Sequence, residues 1–241
     1  MTNIVEMAKY RLHIWKRGHM YIMPLVVLAL YDGFCYSIRP AQLVTCVVLL
    51  CFGLFLTMVW MGYVIAGRED PVEEQLLYLR VVRKSSYYIG KSLFLLAVQL
   101  IFAALAMAIP MLLSVITTDM FSGPVTMWDL VQSFLLFSGS ASAGITLGSL
   151  LSPRVMTDRK LSLLLTLLLA VVSILGSTLK KYAVTGWFVW LLPPISFIGE
   201  AYGNSNSFLL EKTLVLWGTL VLYSIVYLAL GDIISHKRRF G

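Results

Sequence analysis

The densest group of residues able to make specific polar contacts lies between residues 67 and 91. The sequence Gly-Arg-Glu-Asp-Pro-Val-Glu-Glu-Gln-Leu-Leu-Tyr-Leu-Arg fills residues 67–80, and Gly90-Lys91 follows. Acids, bases and leucines mixed in this way favour noncovalent docking rather than bond-making chemistry. The charges must lie in water and the leucines must be covered by another molecule. We therefore expect this stretch to be a docking surface.

The rest of the chain offers little for catalysis or metal binding. Neither a Gly-x-x-x-x-Gly-Lys-Ser/Thr phosphate loop nor a His-Glu-x-x-His motif occurs. The first motif binds nucleotide phosphates and the second binds zinc in metalloproteases. The cysteines lack metal-ligand spacing and are expected to pack as small apolar side chains: Cys35, Cys46 and Cys51. We predict no catalytic residue, no metal site and no cofactor in this chain.

The composition is that of a membrane protein. Hydrophobic residues make up 59% of the chain and charged residues 13%, whereas soluble domains carry about 25% charged residues. About 20 apolar residues form a helix that crosses a bilayer, and the apolar runs lack the alternation of barrel strands. The sequence predicts one all-α transmembrane domain over residues 1–241, with six spans: 20–38, 43–66, 93–117, 130–152, 161–179 and 208–234.

Lysine and arginine predict the orientation. With six spans both termini share a side, and only four of the 19 basic residues fall on the other side: Arg39, Lys180, Lys181 and Lys212. By the positive-inside rule, both termini and residues 67–91 are then cytoplasmic. The net charge of +7 reflects this topology and contact with anionic lipids, so we expect no nucleic-acid partner.

Two predicted helical segments lie at the membrane surface. Residues 1–19 are expected to form an interfacial helix whose apolar face carries Ile4, Ala8, Leu12 and Trp15; a simple basic flank of the first span is the alternative. Residues 182–203 are expected to form an outer re-entrant hairpin, because a seventh span there would place the basic C-terminus outside. Its candidate gate residues are Pro193, Pro194 and Glu200.

Polar residues within the spans have a structural and a functional interpretation. Asp32 lies in the outer part of the first span, where we expect it to pair with Arg39 or water; an intramembrane acid is otherwise a candidate functional site. Gly144 and Gly148 in the fourth span form a small-xxx-small pair that predicts close helix packing. A substrate path lined by the serines of this span is the alternative.

At residues 67–91 the chain resembles the cytoplasmic loop of type-2 ABC transporter permeases. That loop often reads Glu-Arg-Glu-x-Gly-Thr-Leu-Glu-x-Leu-Leu and later ends in Gly-Lys. This chain matches it at Arg68, Glu69, Glu74, Leu76, Leu77, Gly90 and Lys91. It departs from the pattern at Pro71-Val72, which replace Gly-Thr. The interfacial helix, the six spans and the proline-interrupted segment before the last span extend the resemblance over nearly the whole chain.

The resemblance implies that residues 70–84 form a coupling helix that fits a cleft in a separate ATP-binding subunit; a solvated amphipathic loop helix that lies on lipid is the alternative. The implied coupling residues are Arg68, Glu69, Glu73, Glu74, Leu76, Leu77, Arg80 and Arg83. Two such subunits would bind ATP and Mg²⁺, and two permeases, identical or different, would form an exporter for a hydrophobic or peptide-like substrate. The implied location is the bacterial cytoplasmic membrane.

Three other classes stay open from the residues alone. A secondary transporter would need intramembrane ion-binding acids or an internal repeat. A heme-export-type permease shares the broad architecture. A membrane immunity or structural protein would carry out no transport.

Overall fold

The computed structural model describes residues 4–37, 39–68, 84–116, 120–151, 158–180, 190–203, 205 and 207–240, with residues 84–86 and 234–240 described through their backbone. Within these ranges the regular elements are helices, so the predicted all-α class is confirmed. In chain order they are α1 (Ile4–Arg17), α2 (Ile22–Cys35), α3 (Leu43–Arg68), α4 (Lys84–Ile116), α5 (Met127–Leu150), α6 (Arg159–Ile174), α7 (Gly176–Leu179), α8 (Ser196–Tyr202) and α9 (Leu210–Phe240).

Four of the described helices are long and apolar enough to cross a membrane: α3, α4, α5 and α9. A fifth span is obtained if α1 and α2, which are bent by 76° relative to each other, count as one. These helices are those of a polytopic membrane protein, but they account for four or five of the six predicted spans.

The predicted spans 20–38 and 161–179 are not confirmed as single membrane-crossing helices, because the helices α2 and α6 within them are short. The 14 residues of α2 and the 16 residues of α6 rise about 21 and 24 Å at 1.5 Å per residue, against a hydrocarbon thickness of about 30 Å. The second of these runs is also interrupted, because α6 ends at Ile174 and α7 begins at Gly176.

The centre of the fold is the contact between α3 and α5, where backbone meets backbone. A Cβ atom added to Gly144 would lie 2.5 Å from the carbonyl oxygen of Phe55, and one added to Gly148 would collide with the carbonyl oxygen of Val59. From the other helix, Gly62 lies equally close to Ile145. The predicted small-xxx-small packing of Gly144 and Gly148 is therefore confirmed.

Contacts along the helices fix their relative directions. Gly144 faces Phe55 and Gly148 faces Val59, so α3 and α5 are parallel. The polar contacts from α5 to α9 also run in the same order, from Gln132–Thr213 to Ser142–Ser224, so α9 is parallel to both. In contrast, Tyr31 lies against Leu49 and Cys35 against Cys46, which makes α2 antiparallel to α3.

The bundle therefore has two distinct ends. At one, called here the Ala41 end, Ala41 donates a backbone hydrogen bond to Met120 (2.9 Å) and accepts one from Ser122 (3.0 Å). At the other, the Arg68 end, the hydroxyl of Tyr63 donates to the carbonyl oxygen of Arg159 (3.2 Å). The end of α3 and the beginnings of α4 and α6 thus share the Arg68 end.

Helix α1 packs against the beginning of α4. The buried residues of this helix are Met7, Arg11 and Trp15, which are spaced four apart. Of the predicted apolar face, Ile4, Ala8 and Leu12 are only half-buried. The Arg11 guanidinium donates a hydrogen bond to the Tyr87 hydroxyl (2.7 Å) and lies 5.1 Å from the centre of its ring. Because a protein surface rather than lipid alone receives this face, an arginine can occupy it.

We predict that Gly148→Ala destabilises the protein, because the added methyl group must separate α3 from α5; overpacking of this kind costs about 1–3 kcal/mol. The matched control is Gly218→Ala in α9, where an added Cβ has no neighbour within 4 Å. The control should leave stability unchanged or raise it by up to about 1 kcal/mol, since alanine is the better helix former. Thermal unfolding in detergent measures both, and equal melting temperatures would contradict the packing described.

Candidate functional site

The structure describes only part of the two predicted sites. Of the coupling residues, Arg68 is the exposed last residue of α3. The predicted coupling helix 70–84 lies outside the described residues except for Lys84, where α4 begins. The other coupling residues also lie outside them: Glu69, Glu73, Glu74, Leu76, Leu77, Arg80 and Arg83. The predicted gate residues Pro193, Pro194 and Glu200 are described. These residues and their neighbours make up the candidate site.

The proline pair begins a short helical segment. Residues 182–189 of the predicted hairpin lie outside the described residues, and turns at 190–195 lead into α8. Ile195 donates its backbone N–H to the Pro193 carbonyl (2.8 Å) and Phe197 donates to the Pro194 carbonyl (3.2 Å). Proline suits this position because the first residues of a helix need no N–H donor.

A buried polar network attaches the end of α8 to the bundle. The Tyr202 hydroxyl donates to the Leu209 carbonyl (2.9 Å) and lies 2.7 Å from the Thr213 hydroxyl. Thr213 in turn lies within hydrogen-bonding distance of the Gln132 amide oxygen (3.1 Å). Tyr202 and Thr213 are fully buried and Gln132 nearly so. The network therefore joins α5, α8 and α9 at the Ala41 end.

Two tyrosines of α9 hold the chain before the prolines. Tyr223 donates its hydroxyl to the Trp190 carbonyl (2.8 Å), and Tyr227 donates to the Leu191 carbonyl. Tyr223 lies ten residues beyond Thr213 on α9, which corresponds to about 15 Å along the helix. The segment from Trp190 to Tyr202 therefore runs along about a third of the length of α9 toward the Ala41 end.

An open cleft of about 500 Å³ lies between α8 and α9. Its residues combine an apolar floor with a charged rim: Phe197, Glu200, Ala201, Glu211, Lys212, Val215 and Leu216. The Lys180 ammonium lies 3.7 Å from the centre of the Phe197 ring, which places another cation beside it. The α8–α9 cleft thus brings charged and apolar side chains together on one open surface.

Asp32 differs from the sequence-based expectation. It is buried in α2 with 1% of its surface exposed, and its Oδ1 atom has no hydrogen-bond partner among the described residues. The expected pair with Arg39 is not formed; Arg39 is exposed beyond the helix. Cys35, Cys46 and Cys51 are buried and free, as expected for packing residues. In the described part of the chain, no three potential metal ligands are grouped.

Sequence reasoning placed Glu200 and the proline pair in one segment but missed the residues that fix it. Gln132 and Thr213 were visible as polar residues near the ends of apolar runs, and a buried polar residue in a membrane protein needs a partner. Comparison with family models, curated proteins and solved structures finds no match to this chain. The site therefore stands on its own geometry.

We predict that Tyr202→Phe lowers the melting temperature by a few degrees. Hydrogen bonds between membrane helices contribute about 0.6 kcal/mol on average, and Tyr202 serves two partners. Thr213→Val should destabilise too, and the double variant should lose less than the sum, since the two side chains share a bond. Tyr10→Phe, on an exposed position of α1, is the matched control. Additive losses would show that the network is not coupled.

Proposed function

We propose that the chain is the transmembrane permease subunit of an ABC transporter that exports a hydrophobic or peptide-like substrate. The proposal rests on the resemblance of residues 67–77 and 90–91 to the coupling loop of type-2 permeases. The observation that carries it further is the position of the loop's two flanks. Helix α3 ends at Arg68 and α4 begins at Lys84, at the end of the bundle where α6 also begins. A partner bound to residues 69–83 would pull on both helices together.

The packing supports a mechanical role for these flanks. Helix α3 is buried over most of its length and touches the backbone of α5 at Gly144 and Gly148. A displacement at Arg68 therefore moves α3 and α5 as one unit, because no compressible side-chain layer separates them. Helix α1 braces the other flank through Arg11 and Tyr87. Transport follows only if the ATP-bound partner binds one arrangement of these helices more tightly than the other.

The substrate path lies between two permease subunits in this proposal. The centre of the described bundle is filled by fully buried side chains, among them Phe55, Met58 and Phe137, and by the α3–α5 contact. A bundle of this kind leaves little room for a lumen, so a second permease, identical or different, supplies the other wall. Two separate ATP-binding subunits hold ATP and Mg²⁺, and the complex lies in a bacterial cytoplasmic membrane with both termini in the cytoplasm.

The directions of the helices agree with six crossings. Helix α2 is antiparallel to α3, whereas α3, α5 and α9 are mutually parallel. Each parallel pair needs one intervening return, which α4 provides in the first case and which begins with α6 at the Arg68 end in the second. The segment at Pro193, Pro194 and Glu200, with the α8–α9 cleft, then acts as the outer gate.

A secondary transporter is the second candidate, and Asp32 is the observation that favours it. A buried carboxyl group with an oxygen lacking a protein partner is the kind of group that carries a proton in gradient-driven transporters. The two candidates differ in energy source, and the resemblance at residues 67–77 favours ATP.

We predict that Glu74→Arg and Leu77→Asp abolish ATP-driven transport while the protein still inserts and unfolds at the native temperature. The first substitution reverses a charge and the second removes an apolar anchor of the docking surface. Arg39→Glu is the matched control, because it reverses an exposed charge at the opposite end of the bundle. Co-purification of an ATPase subunit and transport into inverted vesicles are measured. Native transport and ATPase binding in both variants would rule out the coupling role.

We predict that Asp32→Asn leaves transport by the ATPase complex within about twofold of native. Asparagine keeps the size of the side chain but cannot exchange a proton. Transport is measured in vesicles with ATP alone and with a proton gradient alone. If the gradient alone drives transport and Asp32→Asn abolishes it, the protein is a secondary transporter.

A further inference from the structure

A second groove lies on the opposite part of the bundle from the α8–α9 cleft. It has a volume of about 210 Å³ and runs between α3 and α6. Its walls are Val59, Trp60, Tyr63, Leu163, Thr166 and Leu167, and its surface is apolar throughout. The one aliphatic hydroxyl among them is satisfied internally, since Thr166 donates to the Ser162 carbonyl (2.8 Å).

The groove opens toward the surroundings of the bundle. Trp60 is 40% exposed, Leu163 44% and Leu167 50%. Both walls belong to apolar runs, so we expect the groove to lie within the hydrocarbon layer of a bilayer. A narrow apolar groove there suits an extended hydrocarbon chain, because close packing against a chain gains dispersion contacts that disordered lipid does not supply.

Two cations stand at the mouth of this groove. Arg159 and Lys160 precede Leu163 by four and three residues on α6, so they lie on the same face of the helix one turn closer to the Arg68 end. Both are exposed, and the Arg159 carbonyl is bonded to Tyr63 of the groove itself. Side chains of a helix lean toward its N-terminus, which directs both cations away from the groove and toward the lipid headgroups.

The nearby acid does not neutralise this pair. Asp158 caps α6 by accepting the backbone N–H of Lys160 at 2.9 Å. Within the described part of the chain, neither the Arg159 guanidinium nor the Lys160 ammonium has a carboxylate partner within ion-pair distance. As far as the described residues show, both cations are therefore available to an anion.

From this arrangement we propose that the α3–α6 groove is a binding site for an anionic phospholipid. One acyl chain lies in the groove against Trp60, and the phosphate is held by Arg159 and Lys160. A free phosphate has no use for the apolar groove, and a zwitterionic lipid gains less from two bases. The site does not depend on the proposed transport function.

The test uses Trp60 as the reporter. The full-length protein is placed in vesicles that contain brominated phosphatidylglycerol or brominated phosphatidylcholine, and bromine quenches tryptophan fluorescence on contact. The part of the quenching that disappears in Trp60→Phe belongs to the groove. We expect this part to favour phosphatidylglycerol roughly thirtyfold, as about 1 kcal/mol for each base implies.

Three changes separate the parts of the proposal. Arg159→Gln with Lys160→Gln should remove the preference, Arg39→Gln at the other end should keep it, and Leu163→Phe should lower quenching by both lipids by filling the groove. Lys160→Gln alone should lower the preference about fivefold and serves if the double variant does not fold. Inorganic phosphate at millimolar concentration should displace nothing.

Several outcomes would overturn the site. Equal quenching by the two lipids would show that the groove does not select a headgroup. If the variant Arg159→Gln with Lys160→Gln keeps the preference, other residues are responsible for it. Displacement by inorganic phosphate would show that the acyl groove contributes nothing.

Discussion

The contact of α3 with α5 is the constraint on which the rest of the structure depends. In a bilayer, apolar side chains gain little by exchanging contact with lipid for contact with another helix, so helices associate mainly through close packing. Gly62, Gly144 and Gly148 remove the side-chain layer that normally keeps helices apart. Helices α2, α4, α6 and α9 are then arranged around this pair, each in contact with one or both of its members.

The attachments at the periphery use a different interaction. Helix α9 meets α5 through hydroxyl, amide and indole contacts, including Ser142–Ser224 (3.0 Å) and Ser138–Trp217 (3.1 Å). The segment before α8 is held to α9 by Tyr223 and Tyr227. Single bonds of this kind contribute little and exchange partners readily, whereas the glycine contact admits no adjustment. The fold thus combines a close-packed central pair with outer elements that are attached through polar contacts.

The sequence predicted those features that depend on composition and short spacing. Helices α3, α5 and α9 follow from long apolar runs, and the α3–α5 contact follows from glycines four residues apart. Hydropathy measures apolarity rather than helix continuity, so the break between Ile174 and Gly176 was not visible, and Pro110 did not end α4. The buried position of Arg11 depends on Tyr87, 76 residues away, and no local pattern contains that information. At the candidate site, Glu200 and the prolines could be found from their types, but the Tyr202–Thr213–Gln132 network requires the tertiary arrangement. The coupling residues from Glu69 to Arg83 stay predictions.

The parallel arrangement of α3, α5 and α9 has an electrostatic consequence. Every helix carries partial positive charge at its N-terminus and partial negative charge at its C-terminus, so the dipoles of these three helices point the same way, and those of the oppositely directed helices packed around them oppose this sum. Their C-termini meet at the Arg68 end, where Arg68 lies in the last turn of α3 and Arg159 approaches through Tyr63. Arg68 therefore complements the negative end of α3, whereas Arg159 belongs to the positive end of α6, where the helix dipole does not stabilise a cation. The Arg68 end thus brings the negative C-terminus of α3 near the positive N-terminus of α6, and helix ends of opposite sign attract each other.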